Sequence, residues 1–273
     1  MTSTSETARS TAPGTGLVTG ASSGIGATYA RKLAARGYDL VLVARDKDRL
    51  NTLATELKAA FGVAADVLPA DLTIAGDVRK VEERLRQDTT ITLLANNAGI
   101  GPNGNLLDGD IDYLDRMIAI NVTAANRLAV AAAQAFKARG RGSIINIASV
   151  VALAPEIFNG TYGASKAFVL ALTQALAHEL ADSGVRIQAV LPGLTRTEIF
   201  DRVGSSFDHI DPERVMDVDD MVSAALAGLD QGELVTIPSL ADVSLLSTFN
   251  AGRAALGPHL SHRLPAERYG TRA

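Results

Sequence analysis

The sequence predicts an α/β fold, a single-domain, doubly wound parallel sheet of about seven strands with helices on both faces. Three observations carry that expectation. Short apolar runs of β character alternate along the chain with segments of helical periodicity, the pattern of parallel strands joined by crossover helices. The first run leads directly into a glycine-rich turn, with Gly20, Gly24 and Gly26, and then into a helix. At 273 residues the chain has the size of one α/β domain, and it shows no internal repeat.

The elements follow in order. Residues 1–13 are Ser/Thr-rich, lack an apolar core and show no signal-peptide pattern, so they are expected to form a disordered leader. Leu17 and Val18 end the first strand, and a helix is expected over 25–36. The runs 40–43, 66–69, 91–94, 143–147, 187–190 and 234–237 read as buried parallel strands. Helical patterns fall at 49–61, 78–87, 113–139, 164–182 and 221–229. The folded domain is placed at 14–256, with a loop region at 194–220 after the sixth strand and a C-terminal tail at 257–273.

Bulk composition excludes several functions. Lys and Arg total 26 against 30 Asp and Glu, with no basic stripe or aromatic series, which argues against a nucleic-acid partner. The longest apolar stretches, such as 128–135, fall short of a membrane span. With no cysteine, disulfides and thiolate metal sites are excluded, and a reducing cytoplasm is the simplest location. His259 and His262 have a His-x-x-His spacing, but no carboxylate or further ligand accompanies them, so no metal site is expected.

The chemistry concentrates in Ser149 and the segment Tyr162-Gly163-Ala164-Ser165-Lys166. Tyr162 and Lys166 are four apart, so on a helix they share a face. An ammonium held near a phenol favours the phenolate and lowers its pKa from about 10, which makes Tyr162 usable as an acid or base. Taken alone, such a pair is an ordinary helix-surface contact. The glycine turn changes that reading, because a strand, a turn and a helix N-terminus aim backbone N–H groups and a positive dipole at a pyrophosphate. Gly20 permits the tight turn, Gly24 lets phosphates approach the backbone, and Gly26 lets the helix pack on the sheet. Ser149 has no Gly-x-Ser-x-Gly elbow and no histidine in a triad context, so a hydrolase nucleophile is disfavoured.

From about residue 14 to residue 200 these motifs resemble the short-chain dehydrogenase/reductase family. They are Thr19-Gly20-x-x-x-Gly24-x-Gly26, Asp71-Leu72, Asn96-Asn97-Ala98-Gly99, Asn121, Ser149, Tyr162-x-x-x-Lys166 and Pro192-Gly193-x-x-x-Thr197. The resemblance implies a Rossmann-fold oxidoreductase that interconverts a carbonyl and an alcohol by hydride transfer. In that scheme Tyr162 is the acid or base, Ser149 polarises the carbonyl, and Lys166 tunes Tyr162 and binds the nicotinamide ribose. Asn121 anchors a water on the proton path from the lysine.

The same resemblance places Gly20, Ser22, Ser23, Gly24, Ile25 and Gly26 around the cofactor phosphates, and Asp71 and Leu72 at adenine. Taken alone, Asp71 equally suits a helix cap. Asn97 is expected to tie neighbouring strands, while Ala98 and Gly99 leave room for ribose; the bland alternative is an Asn-Gly turn. Pro192 and Gly193 skirt the nicotinamide and Thr197 holds its carboxamide, with Thr195 a competing candidate. Ala44 stands where NAD-preferring members usually carry Asp, and Arg45 resembles the basic residue of the NADP-preferring branch, so NADP(H) is expected over NAD(H). The alternative for Arg45 is that it opens the solvated run 46–49.

An apolar wall from Val151, Leu153, Ile157, Phe158, Leu194, Ile199, Phe200, Val203, Phe207 and Met216 suggests an apolar or bulky small-molecule substrate; core packing is the alternative. The family resemblance also implies a homodimer or homotetramer through the helices that carry Asn121 and Lys166. The chain departs from the family near its end, where no Asp-Gly-Gly turn follows the last strand. A second function weighed against the first is a non-catalytic, dinucleotide-binding redox sensor, against which the complete set of Ser149, Tyr162 and Lys166 argues.

Overall fold

The computed structural model describes residues 13–157, 159–196 and 210–270. The chain divides into two compact units, Met1–Pro238 and Ser239–Ala273. Residues 1–12 of the expected leader and 197–209 of the loop region at 194–220 lie outside the described residues, and with them Thr197, Ile199, Phe200, Val203 and Phe207, as does Phe158.

The first unit holds seven strands: β1 (Thr15–Thr19), β2 (Asp39–Ala44), β3 (Ala65–Pro69), β4 (Ile91–Asn96), β5 (Gly142–Ile147), β6 (Val185–Val190) and β7 (Val235–Thr236). They form one sheet in the order β3-β2-β1-β4-β5-β6-β7, and every pairing is parallel. Helices α1 (Gly24–Ala35), α2 (Lys47–Phe61), α3 (Ala75–Gln87), α4 (Ile111–Ile118), α5 (Ala125–Arg139), α6 (Gly160–Glu179) and α7 (Val218–Asp230) connect them. The strand order reverses between β1 and β4, so the carboxyl ends of those two strands flank the crevice where such sheets bind ligands.

Alternation along the strands builds the core on both faces. Leu40 and Leu42 pack with α1, α2 and α7 through Leu33, Leu50, Leu57 and Met221. Val41 and Val43 point the other way, toward α3, α5 and α6, with Val81, Leu128 and Leu176. Each such fully buried aliphatic side chain contributes about 1.5–3 kcal/mol of transfer free energy.

A buried amide chain crosses the second of these layers. Asn96 Nδ2 donates to Asn146 Oδ1 at 3.0 Å and to the Ala125 carbonyl at 2.9 Å. Asn146 Nδ2 then donates to Thr173 Oγ1 at 3.0 Å, and that hydroxyl donates to the Val169 carbonyl at 2.7 Å. β4, β5, α5 and α6 are thereby locked together by satisfied polar groups.

One predicted helix differs in detail. The segment 113–139 is helical, but residues Ala119–Ala124 form a π-helical turn between α4 and α5. Asn121 lies in that turn, fully buried. A π turn widens the helix by one residue, a distortion that costs energy and recurs at functional sites.

The second unit contains a helix, α8 (Ser244–Ala255), and two short 3-10 turns, Gly257–His259 and Glu267–Tyr269. His259 and His262 have ring centroids 6.2 Å apart. Among the described residues no group of three or more His, Cys, Asp or Glu side chains is gathered that could hold a metal ion. No described helix is long and apolar enough to cross a membrane.

Candidate active site

The carboxyl ends of β1 and β4 are knit together by Thr19 and Asn97. The Asn97 and Ala98 backbone N–H groups both donate to Thr19 Oγ1 at 2.9 Å. Asn97 Nδ2 returns a bond to the Thr19 carbonyl, also at 2.9 Å. Asn97 therefore ties the two strands, and Thr19 is an equal partner that motif reading left without a role.

Around this knot the glycines leave a cradle that side chains would fill. Gly20 has φ +68, and a Cβ there would stand 2.7 Å from Asn97 Nδ2. A Cβ at Gly26 would collide with the Gly20 carbonyl oxygen. Gly24, with φ +50, opens α1 after Ser23, whose side chain makes no capping bond to the helix. The first-turn N–H groups of α1 are thus presented beside a bare backbone turn, which fits a dinucleotide pyrophosphate. Ile25 packs against the core, and Ser22 lines a cavity of about 380 Å³ between α1 and α2 that also contains Arg31 and Arg49.

Arg45 is exposed just beyond β2, next to the buried Ala44. Arg49 pairs with Asp46 at 3.6 Å, whereas Arg45 makes no ion pair among the described residues. The cation at the strand end is thus not consumed by its neighbouring carboxylates. Asp71 Oδ1 accepts from Thr73 N at 3.0 Å and from Thr73 Oγ1 at 2.7 Å, closing the turn ahead of α3. It does not cap that helix, whose N-cap residue is Ile74. Leu72 is buried in the core beneath it.

Ser149, Tyr162 and Lys166 come together at the end of β5. Ser149 follows the strand in extended conformation, and its Oγ donates to the Pro192 carbonyl at 3.4 Å. The Ser149 hydroxyl lies by the Tyr162 phenol and favours its ionised form. Tyr162 lies in the first turn of α6, which starts at Gly160, four residues before the predicted start at 164. Asn159 supplies that start by accepting from Thr161 N at 3.1 Å and Tyr162 N at 3.3 Å. An Asn immediately before a helical pattern is an N-cap signal, so this residue was readable in the sequence.

One turn along α6, Lys166 is buried, with Nζ 5.6 Å from the centre of the Tyr162 ring and donating to the Ile147 carbonyl at 3.0 Å. Tyr162 is half-buried. Burial pushes the phenol up to about 12, opposed by the Ser149 hydroxyl. Burial also pushes the Lys166 ammonium down to about 8. In the protein alone burial thus sets the direction of the phenol's shift, with the ammonium over the ring.

Asn121 closes the floor. Its Oδ1 accepts from Ile100 N at 2.9 Å, while Nδ2 donates to the Ile100 carbonyl at 3.0 Å and to Ser165 Oγ at 3.1 Å. A Cβ on Gly99 would stand 2.9 Å from Asn121 Oδ1 and 3.6 Å from Lys166 Nζ, so Gly99 leaves the space these two groups face. On the far side, Thr195 is buried and its hydroxyl donates to the Gly193 carbonyl at 3.2 Å. Among the described residues, chain neighbours aside, no atom stands within 4 Å of a Cβ built on Gly193. Of the suggested apolar wall, Val151 is buried, Leu153 and Met216 pack against the core, and Ile157 is 63% exposed.

The short chain dehydrogenase family model matches residues 15–206 of the chain. The chain belongs to this family. Among solved structures, this short-chain dehydrogenase is 48% identical to one from Sphingobium yanoikuyae in complex with NADPH. The match covers 94% of this chain and 100% of the other, with a TM-score of 0.90. It is 46% identical to the bulky-bulky ketone specific alcohol dehydrogenase from Comamonas testosteroni, over 95% and 99% of the two chains, with a TM-score of 0.87. A very-long-chain 3-oxoacyl-CoA reductase from Anas platyrhynchos is 33% identical over 74% of this chain and 67% of the relative. The protein is accordingly an oxidoreductase, a dehydrogenase of the short-chain type.

Proposed function

We propose that this dehydrogenase interconverts a ketone or aldehyde and its alcohol with NADP(H), Tyr162 giving and taking the proton. The observation that carries the proposal is the gathering of Ser149, Tyr162 and Lys166 at the carboxyl edge of the sheet, with Ser149 favouring the ionised phenol and the buried Lys166 ammonium one helical turn along α6. When bound, NADP(H) supplies the hydride for reduction and accepts it in oxidation.

The chain's own groups account for the rest. A phenol raised to about 12 stays protonated at neutral pH, the form that donates to a developing alkoxide. Ser149 adds a second hydroxyl aimed at the same oxygen and spreads its charge. Lys166, at about 8, is largely cationic at neutral pH; with one proton on the Ile147 carbonyl, it has two for the nicotinamide ribose. Its charge favours the phenolate when Tyr162 acts as base. Asn121 holds the loop after β4 at Ile100, beside Lys166, and would anchor the proton path.

Arg45 at the end of β2, without a carboxylate at Ala44, supports a 2′-phosphate and hence NADP(H) over NAD(H). Ser22, Ser23, Gly24 and Ile25 would hold the phosphates, Asp71 and Leu72 the adenine, Gly99 the ribose, and Pro192, Gly193, Thr195 and Thr197 the nicotinamide. The relatives' bulky ketone and very-long-chain acyl names support an apolar, bulky carbonyl substrate. A cytoplasmic homodimer or homotetramer is the assembly that family membership favours. The test is Tyr162→Phe, which we expect to lower kcat by roughly 10²–10⁴-fold while NADPH binding is kept. Turnover at the parental rate would defeat the mechanism.

A further inference from the structure

We infer that Asn159 is a positioning residue that clamps the loop after β4 to the start of α6, so that the substrate-facing loop and Tyr162 keep a fixed separation. This rests on the reading of Tyr162 as the acid or base.

A single side chain does two jobs here. The Oδ1 of Asn159 accepts from the backbone N–H groups of Thr161 and Tyr162. Its Nδ2 donates outward, to the Gly104 carbonyl at 3.0 Å, 55 residues away in sequence. Beside that bond, Leu106 Cδ2 would lie 3.0 Å from a Cβ built on Gly160, so the loop packs on the first residue of α6, where a side chain would have to displace Leu106.

Elsewhere the loop is held by other elements. Ile100 is bracketed by Asn121 through both its N–H and its carbonyl, and the Gly101 carbonyl accepts from Tyr113 Oη at 2.6 Å. Those ties reach the π turn and α4. The Asn159 bond reaches the helix of Tyr162 and Lys166 and meets it at the very residue whose Oδ1 fixes the Tyr162 backbone. Gly104 has φ +142, a conformation suited to glycine, which turns its carbonyl into this contact without strain. Past the clamp the loop carries Leu107, 96% exposed, at the carboxyl edge of the sheet where the substrate must approach.

The two functions of the amide can be separated by Asn159→Asp. The carboxylate keeps the acceptor at the helix start, where its charge also suits the dipole, but it cannot donate to Gly104. We expect the melting temperature and kcat to stay close to parent, while KM for a bulky ketone rises roughly tenfold, the worth of one lost hydrogen bond. Amide exchange in residues 100–107, read by mass spectrometry on the full chain without substrate, is expected to speed up about tenfold, with α6 unchanged. Asn159→Ala removes the cap as well, so kcat should fall with it. Asn159→Asp with parental KM and parental exchange at 100–107 would overturn the clamp and leave Asn159 a plain helix cap. The exchange readout needs no turnover, so failure of the Tyr162 mechanism would be recognised separately by an active Tyr162→Phe.

Discussion

The Lys166 ammonium lies over the Tyr162 ring, 5.6 Å from its centre, and donates to the Ile147 carbonyl at 3.0 Å. In this position both groups carry the cost of burial: Tyr162 is pushed up to about 12 and Lys166 down to about 8. Neutral pH thus finds a protonated phenol and a mostly charged lysine.

A pH-dependent stability follows from Lys166. Its folded pKa, about 8, lies below its ordinary value of 10.5, so between these values the unfolded chain binds the extra proton. Stability therefore rises with pH across that window and is insensitive to this group below it. Denaturant titrations of the parent and Lys166→Met should converge or cross as pH goes from 7.5 to 10, the parent gaining up to about 3 kcal/mol relative to the variant. Parallel curves would mean that Lys166 titrates normally.

Cofactor choice is expected to follow Arg45. Replacing it by Ala removes a charged donor, which should weaken NADPH binding roughly 10–100-fold while NADH changes little. Fluorescence titration of both dinucleotides against parent and variant measures this. Tight NADH and weak NADPH binding by the parent would refute the assignment.

Gly26→Ala should damage both the fold and the cofactor cradle, because the new Cβ meets the Gly20 carbonyl, a backbone atom that cannot swing aside. Overpacking of this kind costs about 1–3 kcal/mol, or roughly 3–10 °C in melting temperature. Gly76→Ala in the first turn of α3, where nothing stands within 4 Å, is the control and should be neutral or slightly stabilising. Equal effects at the two positions would show that helix propensity, and not the cradle, decides.

Much of this architecture was legible in the sequence because it is encoded locally. The alternation of 40–43 and 66–69 with helical patterns anticipated β2, α2 and β3, and the glycine spacing located the turn between β1 and α1. What escaped is set by distant partners. The residues of Ala119–Ala124 contain neither Gly nor Pro, and nothing local announces a π turn; Asn121 meets Ile100 and Ser165, 21 and 44 residues away. The start of α6 lies at Gly160, four residues before the expected 164, where the Asn159 cap and not apolar periodicity sets it. Tyr162 and Lys166 were correctly brought onto one face, but spacing carries no information on desolvation, which reversed the expected direction of the phenol's shift. Thr197 falls outside the described residues.

The amide chain from Asn96 through Asn146 to Thr173 has a consequence for how the sheet assembles. Sliding β5 by a single position against β4 would strand two primary amides in a dry interior, each forfeiting its bonds at a cost of about 1–3 kcal/mol. Apolar neighbours such as Leu94 and Ile144 would tolerate misalignment far better, since any greasy surface satisfies another. The polar links thus single out one alignment of β4 and β5, the one on which the helices carrying Tyr162 and Asn121 sit.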